Sequence, residues 1–202
     1  MPRLTEAHFT ARRHQILEAA FRCLARKGYS RMTIRDIAAE AGISVGTIYL
    51  YFENKEAVVR ALSEQGRRRT AAGIEQAIPE GSPLQVLSSI FEFLLGSYDD
   101  AERAAGFKVD VQLWAEAIHH SALREMFQSN YQHWVGKLAE LIAEAQRRGE
   151  LPVGVEPAGL ARIFMAMLVG LELQKVMEPE YRLASLVPAF LSLLRDKPGR
   201  PV

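Results

Sequence analysis

Thr33–Lys55 reads TIRDIAAEAGISVGTIYLYFENK. Thr33 followed three residues later by Asp36 is a capping-box-like helix start, in which hydroxyl and carboxylate each take a backbone N–H that the helix leaves free. Ile34, Ile37, Ala38 and Ala41 then fall on one helical face. Gly42 stands where a helix stops, because glycine enters the left-handed region without steric cost. Ser44 supplies a second cap, and Val45, Ile48, Tyr49 and Phe52 return to helical spacing. Asn54 offers a third, with Glu56 against the positive end of the next helix. Ala38, four residues before Gly42, is small enough for the two short helices to close on each other at their corner. This is the grammar of a helix-turn-helix, a motif whose second helix lies in the DNA major groove.

Outward from the motif, the pattern stays helical. A first helix is expected from about Phe9 to Lys27, with Ile16, Leu17, Ala20, Phe21 and Leu24 as its apolar stripe and Gly28 just past its end. Residues 1–8 read as an arm ahead of it, carrying Arg3. A longer helix, about Lys55–Ile78, follows the motif, and its Arg67-Arg68-Arg69 run reads as a solvated face or one paired with an acidic neighbour. Pro79–Pro83 is a loop. Amphipathic helices then run from Leu84 to near Gly96, from about Phe107 to Ile118, and from about Ser121 to Arg148, where Gly149 and Pro152 stop the last. Asp99-Asp100 reads as a turn or helix start. Alternating strand patterns with hairpin signals are absent, so the fold class is all-α.

The two C-terminal helices differ in character. Between Pro157 and Leu171 the only charge is Arg162, and a helix apolar nearly all round must be buried on both sides. A final helix is expected over about Arg182–Arg195, beginning late or bending at Pro188, which is tolerated best in a first turn. Two such helices suggest a four-helix interface across a twofold axis between copies, with Phe164, Leu168, Leu171, Val187, Phe190 and Leu194 as its residues. Lys197–Val202 reads as a tail.

Composition narrows the classes. The 202 residues carry a formal net charge of only +1, but residues 1–69 are net basic and the remainder net acidic, which suits phosphate binding by the first part alone. Cys23 is the single cysteine, so no internal disulfide framework and no cysteine-based zinc cluster is available; between Phe21 and Leu24 it reads as a small core residue. No stretch approaches the roughly 18 apolar residues of a membrane span and no apolar signal core opens the chain, so a cytoplasmic protein with no membrane partner is expected. There is no phosphate-cradling glycine loop, no nucleophile elbow and no metalloprotease motif, and His119-His120 with His133 lack the spacing of a metal site. The reading is of a non-enzyme that calls for no cofactor and no metal.

The run TIRDIAAEAGISVGTIYLYFENKEAV resembles the DNA-binding signature of the TetR family of transcriptional regulators. The matching pieces are Ile37-Ala38, Ala41-Gly42-Ile43-Ser44, Gly46-Thr47-Ile48-Tyr49, Tyr51-Phe52 and Lys55-Glu56, and Ile16–Thr33 resembles that family's first helix and the link after it. The resemblance implies a DNA-binding head, residues 1–55, and a helical ligand-binding and dimerisation body, residues 56–202. It places Val45, Gly46, Thr47, Tyr49, Leu50 and Tyr51 at recognition positions. Thr47 suits a polar or methyl contact with a base edge, and Val45 a thymine methyl. Tyr49, Tyr51, Lys55, Thr33 and Ser44 suit phosphate, as does Arg35; Tyr49 also fits the apolar face, so its ring is expected in the core with the hydroxyl outward.

For the body, the resemblance implies a pocket for a small-molecule effector. Phe91, Trp114, Tyr131, Trp134 and Met167 are candidate lining residues, with Asp110 a polar group placed to orient a ligand. The function implied is a ligand-responsive regulator, a repressor that binds a palindromic double-stranded DNA operator as a homodimer and is released by its inducer. The alternative is a helix-turn-helix activator or architectural DNA binder with no small-molecule input.

Overall fold

In the computed structural model, residues 6–77 and 81–195 are described, without the side chains of residues 101, 102, 104, 105, 191 and 193–195. Of the arm expected at residues 1–8, residues 1–5 lie outside the described residues and residues 6–8 already belong to the first helix; residues 79 and 80 of the expected loop and the tail at 197–202 also lie outside the described residues. Helices α1 (Glu6–Lys27), α2 (Ile34–Ala41), α3 (Val45–Tyr49), α4 (Lys55–Ala77), α5 (Pro83–Tyr98), α6 (Ala101–Ala117), α7 (Ser121–Arg147), α8 (Pro157–Met177) and α9 (Val187–Arg195) follow one another, with a 3₁₀ turn at Leu183–Leu186 before α9. No strand occurs among the described residues.

Starts and stops follow local chemistry. Asn54 Oδ1 accepts the Ala57 N–H at 2.8 Å at the head of α4, and Asp100 Oδ1 accepts that of Arg103 at 3.3 Å near the start of α6. Helix α6 therefore begins six residues before Phe107, where apolar spacing alone placed it. Ser82 and Gln85 form a capping box at α5, and Glu156 caps α8 ahead of Pro157. The last segment divides at Pro188 as its missing N–H requires: the 3₁₀ turn comes first, and proline falls in the first turn of α9.

The chain forms two compact units. One comprises Met1–Arg69 with Lys108–Met126, the other Thr70–Phe107 with Phe127–Val202, so that α4, α6 and α7 each run from one unit into the other. In the first, α1 and α2 pack through Ile16, Leu17, Ala20, Leu24, Ile37 and Ala38, all buried, and Cys23 is buried among them. Burial raises the Cys23 thiol pKa and the nearby Glu40 adds to the rise, which leaves it a core residue rather than a reactive thiolate.

The second unit has its own core, in which Phe91 stacks on Phe190 with ring centroids 3.4 Å apart and Phe164 meets Phe190 edge-on at 5.2 Å. Leu95, Ile142 and Leu183 are fully buried there, each contributing roughly 1.5–3 kcal/mol by leaving water. At Gly73 of α4 a Cβ would collide with the Phe93 ring, so glycine in mid-helix admits that ring. Asp99 ties the C-terminal elements together. It takes the Lys175 ammonium at 2.9 Å and the N–H groups of Leu183 and Ala184 at 3.1 Å each.

Within the single chain, the residues expected at a dimer interface lie mostly toward its own core. Phe164, Leu168, Leu171 and Phe190 are buried in the chain's own core, and Val187 packs half-buried against it. The Leu194 side chain lies outside the described residues. A different stripe of α8 faces solvent: Ile163, Ala166, Gly170, Leu173 and Met177, spaced three, four, three and four. The helix expected to be buried on both sides thus divides, in the single chain, between a core side and an open side.

Candidate DNA interface

The motif is built from three mutually braced helices. Thr33 Oγ1 accepts the Asp36 N–H at 3.2 Å while Asp36 Oδ2 accepts the Thr33 N–H at 2.9 Å, closing the capping box. The other oxygen, Oδ1, takes the Lys27 ammonium from α1 at 2.7 Å. With Lys27 and then Thr33 bonded to its charged form, the Asp36 carboxyl pKa falls to about 2. Arg22 and Arg26 bind Glu40 at 2.8 and 2.9 Å, which fastens the same two helices a turn further along.

At the corner, Gly42 is left-handed with φ 66°. That geometry lets the Gly42 N–H reach Ala39 O at 3.2 Å and the Ile43 N–H reach Ala38 O at 3.0 Å. Gln15 Nε2 donates to Ala41 O at 2.7 Å, satisfying a carbonyl that the end of α2 would otherwise leave free. Ser44 Oγ then accepts the Thr47 N–H at 3.0 Å and lies 2.8 Å from Thr47 Oγ1. Ile48 and Phe52 are buried, and they fix the roll of α3 about its axis.

That roll decides what is presented. Thr33, Arg35, Ser44, Gly46, Tyr49 and Leu50 are exposed; Val45, Thr47, Tyr51 and Lys55 are half-buried. Arg35 makes no hydrogen bond or ion pair among the described residues, so its guanidinium is uncommitted. Outside its own helix, a Cβ at Gly46 would meet nothing nearer than Ser44 Oγ at 3.8 Å, so packing within the chain does not demand glycine there. Leu50 is 76% and Tyr49 55% exposed. The expectation of a core ring for Tyr49 is corrected: Ile48 takes the buried position, and Tyr49, one residue on and 100° round, turns outward. Tyr51 stacks on Phe9 of α1 at 4.5 Å.

Lys55 is more constrained than a simple phosphate contact. Its ammonium donates to Tyr29 O at 3.0 Å and lies 4.1 Å from the centre of the Tyr29 ring. Tyr29 Oη in turn donates to Glu56 at 2.8 Å, and burial first, then that bond, raises the phenol pKa. Ser30 Oγ reaches the Glu116 carboxylate at 2.7 Å, and His120 meets Glu116 at 3.4 Å and the Tyr29 ring edge-on at 5.2 Å. This joint was missed from sequence. Ser30 and Glu116 are 86 positions apart, and no local pattern links them.

The Arg67–Arg69 run behaves as expected. Arg67 and Arg68 bind Glu64 at 2.7 and 2.9 Å, and those bonds pull the Glu64 pKa down to about 2. Of the candidate effector residues, Phe91, Tyr131, Trp134 and Met167 fall in one unit, Asp110 and Trp114 in the other. Phe91 is a core residue, while Tyr131, Trp134 and Met167 are half-buried, with the Tyr131 hydroxyl donating to Arg162 O at 3.3 Å. Asp110 and Trp114 stand one turn apart on α6.

A helix-turn-helix with a capped, outward-turned second helix on an otherwise all-helical chain defines a DNA-binding transcriptional regulator. The chain belongs to the TetR family: residues 16–62 match the bacterial regulatory proteins of the tetR family, and residues 83–194 match the C-terminal domain of BetI-type transcriptional repressors. It is 28% identical over 171 residues to the uncharacterized HTH-type transcriptional regulator YfiR of Bacillus subtilis, covering 84% of this chain and 82% of that one. It is 31% identical over 146 residues to the HTH-type transcriptional regulator BetI of Escherichia coli, covering 70% of each. The fold is also that of the transcriptional regulator FadR from Bacillus subtilis, solved in complex with stearoyl-CoA. There the TM-score is 0.73 at 24% identity, covering 91% of this chain and 97% of that one. Regulators of this family bind DNA and small-molecule ligands. No described helix is long and apolar enough to cross a membrane.

Proposed function

We propose that this chain is a ligand-responsive repressor that binds a palindromic operator as a homodimer and leaves it when a small molecule occupies its body. The observation that carries the DNA half is the outward face of α3. Gly46, Tyr49 and Leu50 are exposed beside Thr47, and Arg35 has no partner among the described residues. Thr47 and Val45 read base edges, while Tyr49, Tyr51, Thr33, Ser44, Lys55 and Arg35 hold phosphate. Leu50 carries no hydrogen-bonding group, so its contribution is apolar contact. The dimer is supported by the exposed apolar stripe of α8, and the effector by the ligand that FadR carries in its solved complex.

Selection of bound fragments from random genomic DNA, followed by footprinting, tests the reading. A protected partial palindrome with half-sites about one helical turn apart is expected. Diffuse binding that salt abolishes, with no protected site, would replace this reading by that of an architectural DNA binder.

A further inference from the structure

We infer that Phe9 is a positioning residue for DNA binding: its ring stacks on Tyr51 and holds the Tyr51 hydroxyl where it meets phosphate. This rests on the DNA-binding half of the reading above and gives the first turn of α1 a part in it.

Phe9, Arg13 and Ile16 stand four and three residues apart on one face of α1. Ile16 is fully buried, whereas Phe9 lies past the end of the core and is 45% exposed. There the same face meets the residues that close α3. Phe9 stacks on Tyr51 with ring centroids 4.5 Å apart and planes inclined by 28°, and the Arg13 guanidinium lies 5.3 Å from the centre of the Phe52 ring. The backbone beneath the stack is already fixed: the Tyr51 and Phe52 N–H groups both donate to Ile48 O, at 2.9 and 3.0 Å, and Phe52 is buried. Tyr51 is therefore held at its backbone by α3 and at its ring by α1.

The Tyr51 hydroxyl makes no hydrogen bond among the described residues. The Tyr49 hydroxyl is equally unengaged, but the Tyr49 ring is 55% exposed and has no aromatic partner among the described residues. The two tyrosines assigned to phosphate thus differ in how they are held. Immobilising a free side chain on binding weakens affinity about two- to tenfold. Tyr51 is ordered before DNA arrives, and Tyr49 is not. Burial of apolar surface is a poor account of the stack, because both rings keep contact with solvent. What the stack fixes is direction.

The test uses the full-length protein and a fluorescein-labelled duplex of random sequence, about 30 base pairs long, at low salt, where phosphate contacts dominate. Phe9→Ala is expected to weaken binding about three- to tenfold, and Tyr51→Phe, which keeps the stack and removes the hydroxyl, at least as much. The two losses are expected not to add. In a Tyr51→Phe background, Phe9→Ala should cost less than about twofold, whereas in a Tyr49→Phe background it should cost as much as in the wild type. Phe9→Tyr, which keeps a flat ring, is expected to bind within about twofold of the wild type. Phe9→Leu, apolar but without a ring, is expected to bind as weakly as Phe9→Ala, and it carries the same cycle if Phe9→Ala lowers the Tm. Wild-type affinity in Phe9→Ala or Phe9→Leu, or losses that add with Tyr51→Phe, would each overturn the assignment.

Footprinting on genomic fragments separates this inference from the reading it rests on. A protected palindrome bound equally well by the wild type and Phe9→Ala keeps the reading and removes the role of Phe9. Coupled losses on the random duplex with no protected palindrome keep the role of Phe9 and remove the operator.

Discussion

At the scale of single residues, the proposed function divides the head into groups assigned to DNA and groups that hold the reader in place. Thr47 is assigned both, since its N–H caps on Ser44 while its side chain lies beside the exposed face. Thr47→Ala keeps the backbone cap, so it is expected to cost about 1–3 kcal/mol at the cognate operator and little on random DNA, as competition binding would read. Equal losses on both would remove Thr47 from base readout. Lys55→Ala is expected to weaken binding to every sequence and also to lower the Tm, because its ammonium anchors Tyr29 as well. Asp36 sets an acid limit. Its folded pKa, about 2, lies below the unfolded value, so its contribution is complete above about pH 4 and is lost as pH falls toward 2. Asp36→Asn should therefore narrow the gap in Tm between pH 5 and pH 2.5. Asp36 and Ser44 were legible from sequence because caps act over three residues. Tyr49 was not, since spacing alone cannot say whether Ile48 or Tyr49 faces inward.

At the scale of elements, sequence signals located helices well where a cap or a stop is local and poorly where the partner is distant. Ser44, Asn54, Gly42 and Pro188 each announced a boundary that the structure keeps. The early start of α6 went unseen because Ala101–Gly106 carries no apolar stripe. Asp99 shows the second limit. It read as a turn residue, whereas it joins the end of α5 to Lys175 on α8 and to the 3₁₀ turn, 76 to 85 positions away. Burial alone would raise its pKa; the Lys175 ammonium and the two N–H groups outweigh that and hold it below the usual value. Asp99→Ala would leave Lys175 charged and largely buried without its counter-ion, held only by Tyr181 O, and the N–H groups of Leu183 and Ala184 unmatched. A loss of about 3–5 kcal/mol in unfolding free energy is expected from denaturant titration, the cost of breaking a buried pair from one side. Because the folded pKa is depressed, this contribution too is present at neutral pH and lost as the pH falls through it.

At the scale of the whole molecule, the question is what covers α8. Its core side, Phe164, Leu168 and Leu171, belongs to the chain's own interior, and its other side leaves Ile163 62%, Leu173 46% and Met177 73% exposed. The sequence made α8 legible as a helix that must be buried all round. It could not divide the apolar residues between the two tasks, because which side the rest of the chain covers depends on packing and not on spacing. Steps of three and four residues make the open side a straight seam, and Ala166 and Gly170 within it present little bulk, so a second copy can approach closely. A palindromic operator requires two recognition helices related by a twofold axis, and a seam on one helix paired with itself supplies such an axis. The double substitution Ile163→Glu with Leu173→Glu places four like charges in that contact without touching the core. It is expected to sediment as a monomer with unchanged helical circular dichroism, and to lose operator affinity at least a hundredfold while its weak binding to random DNA persists. A variant that stays dimeric would move the interface elsewhere. A monomer that still binds the full operator tightly would show that the two half-sites are read without a joined pair.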